Sequence, residues 1–201
     1  MATLRAFLRA LWRLYQRLFA RQADAQTREV VDLLADVPAF STCAKSTLYE
    51  VAAVVHQRDY RREEHLYFQG DPGLGLYIVQ QGRLQLMIEE PGGDVQEVRQ
   101  LGPNEMCGML SLLGEFRRLE TAKTLTEVRV VGFFRPDLKK LMKRNPKAGA
   151  DVAMAIARYV AQQHVELVER VAERNGRATA INDLAELAPA PVPTSTPTAT
   201  R

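Results

Sequence analysis

The sequence predicts an α+β fold, a β-roll or jelly-roll flanked by helices at both ends. Three observations predict it. Residues 56–134 break into short apolar runs punctuated by glycine-bearing turns. Helical periodicity appears before that stretch and again after it. No long helical pattern separates the strands, which favours a roll, sandwich or barrel over alternating strand–helix units. With 46% hydrophobic and 25% charged residues, a chain of 201 residues has the composition of one soluble domain with appendages.

Residues 1–23 read as an amphipathic helix. Leu4, Phe7, Leu8, Leu11, Trp12, Leu14, Tyr15, Leu18 and Phe19 share one arc at 100° per residue. Arg5, Arg9, Arg13, Arg17 and Arg21 occupy the opposite arc, ahead of the first acidic residue, Asp24. Subtracting those five from the net charge of +3 leaves the rest of the chain at −2, so the basicity is local. Such a face suits either an anionic membrane surface or a protein partner. No apolar run approaches the roughly 20 residues that span a bilayer, and the arginines rule out a secretory signal.

The predicted domain proper covers 24–174. Two short helices open it, over 27–35 and 46–55, with Pro38 between them. Leu76–Val79 and Leu84–Ile88 read as strands joined through Gln80-Gln81-Gly82-Arg83. Pro91-Gly92-Gly93-Asp94 is a hairpin tip leading into a return strand over 95–101. Two more strands are predicted over 121–126 and 128–134. A short helix around Leu138–Met142 stops before Pro146, and a long one runs over 151–174. The segment 175–201 holds one short helix, Thr179–Leu187, then a Pro/Thr-rich tail expected to be disordered.

Two segments resemble the cyclic nucleotide-binding superfamily. The first is Gly70-Asp71-Pro72-Gly73 followed by Leu76-Tyr77-Ile78-Val79 and Gly82. The second runs from Leu101-Gly102-Pro103-Asn104-Glu105 through Gly108-Met109-Leu110-Ser111-Leu112-Leu113 to Glu127-Val128, and resembles the family's phosphate-binding cassette. The resemblance covers about residues 36–174 and implies a sensory domain of the catabolite-activator type. In such a site an arginine pairs with phosphate, a carboxylate accepts a ribose hydroxyl, and backbone N–H groups approach the anion. It places Gly108, Met109, Leu110, Ser111, Arg118, Leu119, Glu120 and Thr121 around the ligand, with Arg118 on the phosphate position.

The cassette departs from the family pattern at the decisive positions. Met109 stands where the ribose-binding glutamate is expected, at a cost of about 1–3 kcal/mol for an unaccepted hydroxyl. Arg117, Leu119 and Glu120 replace a proline and two small residues. Leu119 is expected to crowd the phosphate, and Glu120 either repels it or neutralises Arg118 by pairing. Arg118 is then either a surface salt-bridge partner or the anchor of a different anion. The expected function is a non-catalytic regulatory module, poor at binding cyclic AMP or cyclic GMP. The alternatives are a membrane-surface or scaffold protein anchored through residues 4–21, and a true cyclic nucleotide sensor using Arg118. The expected location is the cytoplasm, either free or peripheral at the inner membrane surface.

Other functions find no residues to carry them. His56, His65 and His164 form no metal-ligand set, and Cys43 and Cys107 lack metal or disulfide spacing. No nucleophile elbow or Walker loop is present. No cofactor is expected beyond a cyclic nucleotide or another small anion. The apolar positions of the helix over 151–174 suit either a homodimer or packing on its own β-roll, and with residues 175–201 holding at most one short helix and the tail, no DNA binding is expected.

Overall fold

The computed structural model describes residues 24–186; the amphipathic segment 1–23 and the Pro/Thr-rich tail lie outside them. The described residues divide into two compact units, 24–159 and 160–186.

In the first unit, a helix over 24–36 (α1) is followed by a 3-10 turn, Pro38–Phe40, and by α2, Lys45–Ala52. Val30, Val31, Leu34, Val37, Phe40 and Val51 are buried. Each such side chain contributes about 1.5–3 kcal/mol of transfer free energy. Eight strands follow: β1 His56–Tyr60, β2 His65–Tyr67, β3 Gly75–Gln81, β4 Leu84–Glu89, β5 Val95–Leu101, β6 Met106–Cys107, β7 Thr121–Thr124 and β8 Val128–Phe134. They form two antiparallel sheets, ordered β1-β8-β3-β6 and β2-β7-β4-β5. This is the predicted β-roll.

The two sheets differ in how they are covered, and the sequence reflects it. β3 and β8 are buried almost throughout. Tyr77, Val79, Val128 and Val130 enter the core between the sheets, with Tyr67, Leu84, Leu101, Cys107 and Ala122. The residues alternating with them, Leu76, Ile78, Val131 and Phe133, are buried as well, so these strands read as continuous apolar runs. β5 is exposed except for Leu101. The β1–β2 connection, unassigned in detail by the sequence, is fixed by buried Thr124. Its hydroxyl donates to Arg61 O at 2.6 Å and accepts from Glu64 N at 2.9 Å.

Helices α4, Arg135–Arg144, and α5, Pro146–Asn175, follow directly. Asp137 accepts the Phe134 N–H at 3.3 Å at the start of α4. The long helix begins five residues earlier than expected. Pro146 ends α4 but suits the first turn of α5, where no N–H partner is needed. Asn145 caps that turn, its Oδ1 accepting Ala148 N at 3.1 Å.

In the second unit, the end of α5 and α6, Arg177–Glu186, are joined at Gly176. A groove of about 610 Å³ is lined by Val165, Val168 and Ala172 from α5 and by Ile181 and Leu184 from α6, with Glu169 and Arg177 among its polar groups. Among the described residues no helix is long and apolar enough to cross a membrane.

Candidate functional site

β6 delivers the chain to the candidate site by pairing Cys107 with Tyr77 and Met106 with Ile78. Gly108 then turns with φ +72°, and a Cβ there would lie 1.9 Å from Arg118 Nη1. Only glycine meets both the left-handed backbone and the close approach. One turn of helix follows, α3, Leu110–Leu113, closed by Ser111 N–H donating to Gly108 O at 3.2 Å. Ser111 is buried against Gly73, where an added Cβ would meet its Oγ at 1.9 Å.

The second arm of the cassette is zipped to the loop before β3. Gly70 N donates to Arg118 O at 2.8 Å, Arg118 N to Asp71 O at 2.9 Å, and Gly73 N to Phe116 O at 2.9 Å. Arg117 Nη1 adds a bond to Gly70 O at 2.7 Å. Thr121 Oγ1 accepts the Gln69 N–H at 2.9 Å. Thus the two segments that carried the resemblance are in contact, and Arg118 is set by backbone on both sides.

The Arg118 side chain does not lie on the surface. It is 6% exposed and belongs to none of the ion pairs among the described residues. Its Cζ sits 4.1 Å from the centre of the Tyr67 ring and 5.8 Å from that of Tyr77. A desolvated cation in this position gains about 2 kcal/mol from the ring quadrupole. Nη1 donates to Gly108 O at 3.3 Å, and buried Nε has no hydrogen-bond partner. The expected surface salt bridge is therefore replaced by an aromatic stack.

Glu120 does not neutralise Arg118 by pairing either. Its Oε1 accepts the Tyr67 hydroxyl at 2.7 Å. Burial pushes the Tyr67 hydroxyl well above its usual range, with Cys107 and Glu120 adding to the shift. Burial also pushes the Cys107 thiol up to about 11, partly opposed by its hydrogen bond with Tyr67. Both groups are neutral near pH 7. Leu119 does not fill the site, being 68% exposed, and Met109 is half-buried. Phe68, Leu110, Leu113 and Phe116 are exposed as well.

Tyr67 and Cys107 are central here although neither was a candidate in the sequence. Tyr67 stands 51 positions before Arg118, and nothing local marks the pair. Arg135, at the start of α4, also went unrecognised. Its Nη2 donates to Gly73 O at 2.9 Å and its Nη1 lies 3.3 Å from Glu115, which ties the cassette to α4. Among the described residues no cluster of His, Cys, Asp and Glu could hold a metal.

Residues 57–145 match the cyclic nucleotide-binding domain family model. The matched region belongs to that family. Among curated proteins, the cyclic AMP receptor protein of Thermus thermophilus is 29% identical over 130 residues, 65% of this chain and 60% of that protein. The match thus spans about 60% of the length of these receptor-type relatives and a much smaller share of others, such as 12% of a cGMP-dependent protein kinase of Drosophila melanogaster. The N-terminal domain of a transcriptional regulator from Streptomyces coelicolor aligns at 27% identity with a TM-score of 0.61, covering 67% of this chain and 94% of that one. A cyclic nucleotide-binding domain from Methylobacillus flagellatus aligns at 18% identity with a TM-score of 0.63, covering 76% and 86%. The match spans both arms, Gly108–Leu113 and Arg117–Thr121.

Proposed function

We propose that this cyclic nucleotide-binding domain is a non-catalytic regulatory module whose cassette binds cyclic AMP and cyclic GMP poorly. The observation that carries the reading is Arg118, buried on the Tyr67 ring where the family uses an arginine for phosphate. Met109 removes the acceptor for a ribose hydroxyl, worth about 1–3 kcal/mol. Lifting Arg118 from the ring costs about 2 kcal/mol more. Together they weaken nucleotide binding roughly 10²- to 10⁴-fold relative to an intact cassette. Regulation then passes through another small anion or a protein contact, transmitted to α4 through Arg135. The Thermus relative is named a cyclic AMP receptor, which makes cyclic AMP the first ligand to test.

The test is isothermal titration of the chain and its Arg118→Ala variant with cyclic AMP, cyclic GMP and cyclic di-GMP. No heat at micromolar ligand is expected. Micromolar binding that disappears in Arg118→Ala would instead establish a true nucleotide sensor.

A specific observation also favours self-association. Val165, Leu167 and Ile181 are exposed on α5 and α6, and such surface is usually covered by a partner. The second unit then contributes to a homodimer. Light scattering should give twice the chain mass, and Ile181→Lys should return it to a monomer; a wild-type monomer at high micromolar concentration contradicts this.

A further inference from the structure

A buried arginine with one long hydrogen bond and an orphan Nε is poorly satisfied for a group with five donors. What holds it is Tyr67, which makes two contacts at once. The ring face takes the guanidinium of Arg118, and the hydroxyl takes the carboxylate of Glu120. Tyr67 is itself fixed by burial in the core and by stacking on Tyr77, ring centres 6.1 Å apart. The backbone of Arg118 is pinned to Gly70 and Asp71, so its freedom is confined to side-chain rotation.

We propose that Tyr67 is an internal competitor for the ligand of this cassette, and that an anion binds only when Arg118 has left the Tyr67 ring. The inference rests on the altered-cassette reading and names its regulating residue. Two packings of one side chain then define the two states: Arg118 stacked and unavailable, or rotated outward with its guanidinium turned to the anion. A ligand shifts the balance only by its preference for the second state.

The test compares Tyr67→Leu, which removes ring and hydroxyl, with Tyr67→Phe, which keeps the ring and releases Glu120. Cyclic AMP is the probe, followed by titration calorimetry. Tyr67→Leu should bind roughly thirtyfold more tightly than wild type, since the competing cation–ring contact is gone. The gain should vanish when Arg118→Ala is added. Tyr67→Phe should stay at or below the wild-type affinity. A folded Tyr67→Leu with no gain overturns the proposal, as does a gain that survives Arg118→Ala.

A second measurement serves if Tyr67→Leu does not fold. In unliganded wild type, the Arg118 Nε–H resonance should be protected from exchange and shifted by the ring current, in Tyr67→Phe as well. A fast-exchanging signal at the position of a free arginine overturns the proposal. The underlying reading fails differently, through micromolar Arg118-dependent binding by the wild type itself.

Discussion

The two arms of the cassette are held in different ways. Residues 108–113 depend on backbone geometry: the positive φ of Gly108, the single helical turn after it, and Ser111 packed against Gly73. Residues 117–121 share a backbone zip with residues 70–73, but their side chains have taken internal partners. Arg118 stacks on Tyr67 and Glu120 accepts its hydroxyl. Backbone conformation holds the first arm, whereas contacts with Tyr67 hold the charged side chains of the second. A backbone frame and the side chains placed on it are thus held by separate interactions, and family membership does not determine the ligand.

The strongest break in this comparison is removal of the residue that both charged groups share. Tyr67→Ala should cost about 3–5 kcal/mol in urea unfolding, the usual range for a buried aromatic truncated to alanine. A loss under 1 kcal/mol would mean that Tyr67 is not packed as described.

The neutral core beside the second arm also sets a pH dependence. The folded Cys107 thiol stays protonated to about 11, above its ordinary value of 9.0. Between these values the native state binds a proton that the unfolded chain has released, so stability falls as pH rises through that window. The loss amounts to roughly 2–3 kcal/mol. Tyr67, also raised, extends the decline upward. Denaturant unfolding across pH 8–11 reads the slope, and Cys107→Ala should flatten it between pH 9 and 11.

Gly108→Ala sharpens the comparison on the first arm. The left-handed backbone costs about 1–3 kcal/mol, and the new Cβ displaces Arg118 Nη1. Gly70→Ala, with φ +83° and open space around it, should pay only the backbone cost. Equal losses at the two positions would remove the packing role assigned to Gly108. The smallest expected effect concerns the ligand. With Met109 in place of a carboxylate, 2′-deoxy cyclic AMP and cyclic AMP should bind within about threefold of each other, because no acceptor distinguishes them. A tenfold preference for cyclic AMP in competition assays would reveal another acceptor.

The β-roll was legible because its two central strands are apolar on both faces and its turns carry glycine at the required places. The long helix began early because Pro146 is both a terminator and a good first-turn residue, and its sequence context does not separate the roles. β6, two residues long, has no periodicity to detect. Within the site, the backbone-held arm could be read from Gly108 and its neighbours. The side-chain arm could not, because a cation resting on an aromatic ring 51 positions away leaves no local pattern. Leu119 is exposed beside the zip to residues 70–73, a placement its apolar character alone does not predict.

The most direct test of the diverted cassette is the denaturation midpoint of the wild-type chain with and without about 1 mM cyclic AMP. A ligand with a Kd of about 1 µM adds about 4 kcal/mol at that concentration, and one with a Kd of 1 mM or weaker adds at most about 0.4 kcal/mol. A stacked Arg118 and a missing acceptor predict the smaller value, unchanged in Arg118→Ala. A stabilisation near 4 kcal/mol that Arg118→Ala abolishes would contradict the account.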